Sequence, residues 1–199
     1  KNRVVVAVRV RPKLENVTNA TQVAERYHPE AATRVNETTV RLSETKGKDT
    51  KTNVFSFDHV FDRDCSQQEV YEDTTLEAID AALQGCNATV MTYGQTGSGK
   101  TYTVLGSVKS NPLSDDVLTP DTGLFLRVLR DILVFAETRS ADAHTVVCLS
   151  VIEIYLESVR DLLSDTPGEG IKMSIDGENV RMPDLTYIPI TQLRDAIDA

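Results

Sequence analysis

The stretch MTYGQTGSGKTYT at residues 91–103 constrains this chain more than any other. Directly behind an apolar run, Gly94-Gln95-Thr96-Gly97-Ser98-Gly99-Lys100-Thr101 satisfies the pattern G-x-x-x-x-G-K-[ST] at every position. Each residue type there has a physical reason. Glycines let successive backbone N–H groups turn toward one anion without Cβ clashes. The N-terminus of a following helix adds partial positive charge. The Lys100 ammonium reaches the β- and γ-phosphates of a nucleotide, and the Thr101 hydroxyl ligates Mg2+. A flexible surface loop would also be glycine-rich. This one, however, falls between a predicted strand at 88–93 and a predicted helix after Thr101, which is the setting a phosphate-binding loop needs.

The rest of the chain reads as the sheet and helices that such a corner requires. Residues 3–10 carry valine at 4, 5, 6, 8 and 10, so both faces are apolar, as in a strand covered on both sides. Residues 13–53 are polar and rich in Thr and Asn, with short β-like pieces such as 39–42. Residues 54–61, VFSFDHVF, alternate as one strand. Ser66 opens Ser-x-x-Glu with Glu69, a capping box, followed by an inward stripe of Tyr71, Thr75, Ile79, Ala82 and Leu83 and a terminating Gly85. Pro112 and Pro120 bracket a polar segment, 107–122. A second helix is predicted from Leu124 to about Arg139, with Phe125, Leu129, Ile132 and Ala136 on one face. A long apolar strand follows at 145–155. Asp176-Gly177 signals a hairpin between 173–175 and 180–182, and 191–199 opens a helix.

At 199 residues the chain is long enough for one domain with a real core. No apolar stretch approaches the length that spans a bilayer, so no membrane is expected. The N-terminal KNRVVVAVRVRP has arginines inside its apolar run and reads as a strand, not a signal peptide. Cys65, Cys86 and Cys148 are odd in number and far apart, which suits reduced thiols in a cytosolic protein. The Asn-x-Thr patterns at Asn16, Asn19, Asn36 and Asn87 read as chance occurrences. A net charge of −9 argues against a nucleic-acid surface and is awkward for docking on any acidic partner.

VRVRP (8–12), FDHVF (57–61), QQEVY (67–71), NATVMTYGQTGSGKTYTVLG (87–106) and SVIEIYLESVRDLL (150–163) occur in an order and spacing that resemble the N-terminal part of a kinesin motor domain. The resemblance implies an α/β phosphate-loop NTPase fold: a kinesin-like mixed central sheet flanked by helices, incomplete in this chain. It implies that 1–199 is the N-terminal portion of a single motor domain. It also implies a site for ATP or ADP with Mg2+, microtubules as partner, and a place in the cytoplasm on the cytoskeleton. Arg9, Arg11 and Pro12 match the R-x-R-P that flanks the adenine, and Tyr102 matches the residue that stacks on it. Taken alone, the arginines also read as a charged strand end and Tyr102 as a helix residue packed on the sheet, but a ring or guanidinium beside a purine has a stacking rationale and the resemblance favours it. Residues 150–163 identify the family without an expected nucleotide contact. Residues 107–122 match a variable loop that lines a small-molecule pocket in some kinesins, and an ordinary surface loop is the plainer reading. Residues 171–190 resemble the hairpin region near the filament, where Lys172 and Arg181 would face acidic tubulin.

A phosphate loop holds a nucleotide but does not hydrolyse it. The family's later segments, N-x-x-S-S-R-S-H and D-L-A-G-S-E, do not occur here, and Asp165-Thr-Pro-Gly168 lacks the strand a D-x-x-G motif requires. No catalytic acid, base or water-positioning residue is identifiable. In the family the strand entering the phosphate loop is flanked by strands from the C-terminal half. This chain alone is therefore expected to leave interior strands unpaired, to fold poorly and to be inactive. Basic filament-binding elements also come later in the family, so −9 describes an incomplete surface. Three functions are open: part of a microtubule motor ATPase, a kinesin-like nucleotide- or microtubule-binding module without turnover, and a phosphate-loop small-molecule kinase, for which no arginine-bearing lid is evident.

Overall fold

A computed structural model describes residues 4–12, 31–46, 49–107, 118–139, 145–166, 170–177 and 179–199. The chain divides into two units, Lys1–Asn111 with Leu118–Val128, and Pro112–Val117 with Leu129–Ala199. Among the described residues parallel and antiparallel ladders both occur, in five separate sheets of two or three strands.

In the first unit, β1 (Ala7–Arg9) pairs in parallel with β5 (His59–Phe61), Arg9 opposite Phe61. β2 (Ala32–Asn36), β3 (Thr39–Lys46) and β4 (Asp49–Ser56) form an antiparallel meander. Val10, Val40 and Val60 bury together between these ladders, with Val8, Ala32 and Phe57 packed on them. The strand expected over 54–61 is two strands. The chain leaves the meander at Phe57, whose N–H donates to the Thr38 carbonyl, and joins β1 at Asp58, whose N–H donates to Val6 O and whose carboxylate accepts from Val6 N–H at 2.9 Å. The strand expected over residues 3–10 differs on two counts among the described residues: β1 covers only Ala7–Arg9 of it, and Val4 and Val6 are exposed while Val8 and Val10 pack, so it is not covered on both sides.

The single helix expected from Ser66 to Gly85 is α1 (Gln67–Thr74) and α2 (Leu76–Leu83). Its start follows the sequence: the Ser66 side chain accepts from Glu69 N–H and the Glu69 carboxylate accepts from Ser66 N–H at 2.7 Å, a complete capping box. The break falls at a pair of β-branched hydroxyl residues. Thr74 Oγ1 donates back to the Val70 carbonyl at 2.6 Å, and Thr75, fully buried, leaves ideal helical angles at φ −110°. Gly85 ends α2 at φ +95°. Tyr71 and Val70 pack with Phe61 and Leu124 in the second core cluster. Leu124 opens α4 (Leu124–Thr138), whose first five residues belong to this unit. Its buried apolar positions are Leu124, Leu126 and Leu129, and Arg127 is buried with them; Phe125 is only half-buried.

Residues 88–93 correct an expectation. They form no ladder among the described residues, and Met91 and Tyr93 are 81% and 95% exposed. The apolar, β-prone sequence is there, but nothing in the described structure supplies its hydrogen-bond partners. The phosphate-loop residues follow at once and lead into α3 (Lys100–Leu105). Within 107–122, residues 108–117 lie outside the described residues, as do Asn16 and Asn19.

In the second unit, β6 (Val147–Leu149) pairs with β11 (Ile188–Ile190), and β7 (Ile152–Tyr155) with β8 (Ser158–Asp161). β9 (Ser174–Asp176) and β10 (Asn179–Arg181) form the expected hairpin, turning through Gly177 at φ +63°. The strand expected over 145–155 is thus split after Leu149. Asp161 anchors this unit. It is 2% exposed and accepts from Leu163 N–H at 2.9 Å and Thr186 N–H at 2.7 Å; the Thr186 side chain first, and then these two backbone bonds, hold its carboxyl below the usual range. At the start of α5 (Leu193–Asp198), the backbone N–H and hydroxyl of Thr191, then the side-chain amide and backbone N–H of Gln192, hold the Asp195 carboxyl down at about 2.

Candidate functional site

The glycine-rich loop is a compact turn, not an extended segment. Gly94, Gly97 and Gly99 have φ of +155°, +81° and +103°, conformations open to glycine and strained for other residues. Gly94 is also needed for space: a Cβ there would stand 2.5 Å from Ser98 Oγ. Ser98 N–H closes the turn on the Gln95 carbonyl at 3.1 Å, and Thr96 lies within it. Gly99 caps α3, and Thr103 N–H donates to the Gly99 carbonyl at 2.9 Å as the first helical bond.

Lys100, the first residue of α3, turns back over the loop. Its Nζ donates to the carbonyls of Gly94 at 2.8 Å and Gln95 at 2.9 Å, so the ammonium sits at the loop's mouth. An arriving phosphate would exchange those two carbonyls for charged oxygens, a stronger partner for the same donor. Thr101 follows on the exposed side of the helix start. The residues fit a polyphosphate: positive-φ glycines, a helix start and a lysine converge. For Mg2+ they supply the Thr101 hydroxyl, and among the described residues no cluster of three or more His, Cys, Asp or Glu is found. Nucleotide phosphates and water complete the coordination of such an ion.

The R-x-R-P residues reach the same corner from β1. A Cβ placed on Gly99 would lie 3.9 Å from Arg11 Cβ, so Arg11 flanks the loop; Pro12 beside it is exposed. Arg9 sits over the Tyr102 ring, with its guanidinium carbon 5.2 Å from the ring centroid. Its Nη1 donates to Gln67 Oε1 at 2.7 Å and Thr103 Oγ1 at 3.1 Å, and its Nη2 to the Cys65 carbonyl at 3.3 Å. Tyr102 is 41% exposed, and its hydroxyl donates to Asp121 Oδ1 at 3.2 Å. Partial burial, then the Asp121 carboxylate, push its phenol up from the ordinary value. Burial also pushes the neighbouring Cys65 thiol up against the pull of Arg9.

Sequence reasoning missed the support behind this surface. Gln67, 1% exposed, donates from Nε2 to the Tyr102 carbonyl at 2.6 Å. Gly106 ends α3 at φ +83° and bridges to Thr122. Arg127, 4% exposed on α4, donates to the carbonyls of Thr122 at 2.9 Å and Thr119 at 3.1 Å, and to Gln68 Oε1. The sequence signal for Gln67 was its place as the first residue of a capped helix whose later positions are apolar; nothing in the sequence paired Asp121 with Tyr102, or Arg127 with the Thr119 and Thr122 carbonyls. In the second unit, Arg181, singled out for a filament contact, pairs with Asp176 at 2.7 Å, and Lys172 is exposed.

By fold this is an α/β protein of the phosphate-loop NTPase class. A family model of the kinesin motor domain matches residues 9–199, and the chain belongs to that family. It is 39% identical over 132 residues to Kinesin-like protein KIN-8A of Arabidopsis thaliana, covering 66% of this chain and 16% of that protein. It is 32% identical over 196 residues to Kinesin-like protein KIF22 of Mus musculus, covering 97% and 27%. A solved structure described as that of a fast kinesin superposes with a TM-score of 0.80 at 26% identity, covering 98% of this chain and 50% of that one. The chain thus spans half of that structure and about a quarter or less of these two relatives.

Proposed function

We propose that residues 1–199 are the ATP-binding, N-terminal portion of the single motor domain of a kinesin-like protein that couples ATP hydrolysis to movement or force along microtubules. Gly94 to Thr101 hold the phosphates of ATP or ADP, with Lys100 on the β- and γ-phosphates and Thr101 on Mg2+. Arg9, Arg11, Pro12 and Tyr102 form the side that receives the base. The observation that carries this reading is the Lys100 ammonium, folded over two carbonyls of a loop with three positive-φ glycines at the start of α3. Family membership supports the rest: the fast kinesin structure is described with implications for an ATPase mechanism and for interactions with microtubules. The setting proposed is the cytoskeleton in the cytoplasm, with neither nucleic acid nor membrane as partner. Among the described residues no helix is long and apolar enough to cross a membrane.

The alternative is a kinesin-like module that binds nucleotide or filament without turnover. The full-length protein separates the two. A motor shows ATPase activity stimulated by microtubules, and Lys100→Ala abolishes it. Stimulation that survives Lys100→Ala, or none in the unmutated protein while Mg-ATP still binds, removes the motor reading.

A further inference from the structure

The side chain of Gln67 is polar, almost wholly buried, and satisfied at both ends by groups of the base-binding surface. Its Oε1 accepts from Arg9 Nη1 at 2.7 Å, and its Nε2 donates to the Tyr102 carbonyl at 2.6 Å. A buried amide retained in this way is costly unless both bonds form, so its geometry is sharply defined. The same carbonyl accepts from Gly106 N–H at 2.9 Å, as the helical bond closing α3. Gln67 therefore does more than complete a helix. It ties α1, β1 and α3 together at one point, and that point is the backbone of the residue whose ring is partly open to solvent.

The consequences for Tyr102 are geometric. Arg9, steered by Gln67 Oε1 and Thr103 Oγ1, covers one face of the ring. Asp121 fixes the hydroxyl at the far end. With its backbone and hydroxyl both held, the ring keeps one orientation, and the stacking surface exists before a ligand arrives. The phosphate loop has no share in these bonds; its contacts run through Lys100 and the loop's own carbonyls.

We propose that Gln67 is a positioning residue for base recognition: acting through Arg9 and Tyr102 and touching no ligand itself, it presets the surface that takes a purine and leaves the polyphosphate grip unaffected. This rests on the nucleotide-binding reading above. The test compares Mg-ADP with Mg-tripolyphosphate, which has a phosphate chain and no base, by calorimetry on the full-length protein. Gln67→Leu removes both bonds. It is expected to weaken Mg-ADP roughly tenfold, the weight of one base–aromatic stack, with tripolyphosphate unchanged. Gln67→Glu keeps an acceptor for Arg9 and loses the donor to the Tyr102 carbonyl, so it is expected to restore part of the lost ADP affinity. Should Gln67→Leu fail to fold, Gln67→Glu alone carries the test, with a smaller loss confined to ADP. Equal weakening of both ligands, or no change in either, overturns the proposal by assigning Gln67 to general packing. An unmutated protein that binds neither ligand overturns the nucleotide reading itself.

Discussion

Two residues show how little freedom the corner has. Gly106 ends α3 with φ +83°, and a Cβ there would stand 2.1 Å from the Asp121 carbonyl oxygen and 2.5 Å from Gly123 N. Gly123 is as crowded from its own side, 2.4 Å from the Gly106 nitrogen and from the Val104 carbonyl. The two backbones are in contact because neither carries a side chain, and this contact places Asp121 beside the Tyr102 hydroxyl. Gly106→Ala meets both penalties. The backbone conformation alone costs on the order of 1–3 kcal/mol for a non-glycine residue, and the clash adds to it. The expected result is a lower urea midpoint together with weaker Mg-ADP binding, because Asp121 moves. An unchanged midpoint would mean that the Gly106–Thr122 bridge is not formed in solution. Arg127 acts at the same place from α4, its donors committed to the Thr119 and Thr122 carbonyls. Truncating it removes the charge-assisted bonds to both carbonyls, at about 1.5–3 kcal/mol each.

Among the elements, α1 is the one whose start has a full sequence rationale, and its cap offers a separable test. Ser66→Ala removes the N-cap acceptor and is expected to cost about 0.5–2 kcal/mol. Glu69 adds a pH dependence. Its carboxyl is held below its ordinary value of 4.5, first by the Ser66 backbone N–H and then by the hydroxyl. A depressed carboxyl contributes stability that is present above 4.5 and lost as pH falls through the folded-state value. The melting temperatures of the unmutated chain and Glu69→Gln should therefore differ at neutral pH and converge on acidification below 4.5. A gap that stays constant with pH would show the carboxylate is not bonded to Ser66. The caps, the phosphate loop and the β9–β10 turn were legible because each is local: a few adjacent residues set both the pattern and its hydrogen bonds. The strands were legible in position but not in extent. Residues 54–61 and 145–155 read as unbroken because propensity is continuous through them; the breaks are set by Thr38 and Val6 at one, and by the pairing of β6 with β11 at the other. In the site, Lys100 was legible from its motif. Gln67 and Asp121 were not, because their partners lie 35 and 19 residues away in sequence.

At the scale of the molecule, the segment entering the phosphate loop leaves large apolar side chains in solvent. Val90, Met91 and Tyr93 are exposed, and the segment joins no ladder among the described residues. β3, by contrast, is paired on both sides, by β2 and β4. Local opening free energies follow such differences, so the two segments should differ sharply in amide exchange. In the 199-residue chain, amides of 89–93 are expected to exchange at close to random-coil rates, while those of Thr39 to Leu42 are the slowest in their unit. In a full-length protein built on the plan of the fast kinesin, of which this chain covers 98% of itself and 50% of the other, further sequence is available to pair with 88–93. Protection should then appear at 89–93, and with it tighter Mg-ADP binding, since the strand's end fixes the start of the loop. In the 199-residue chain the net charge of −9 makes self-association of the exposed edge less favourable. Strong protection of 89–93 in the short chain would mean that the segment finds a partner within these 199 residues. Equal lack of protection in the full-length protein would mean that the loop is held by α3 alone.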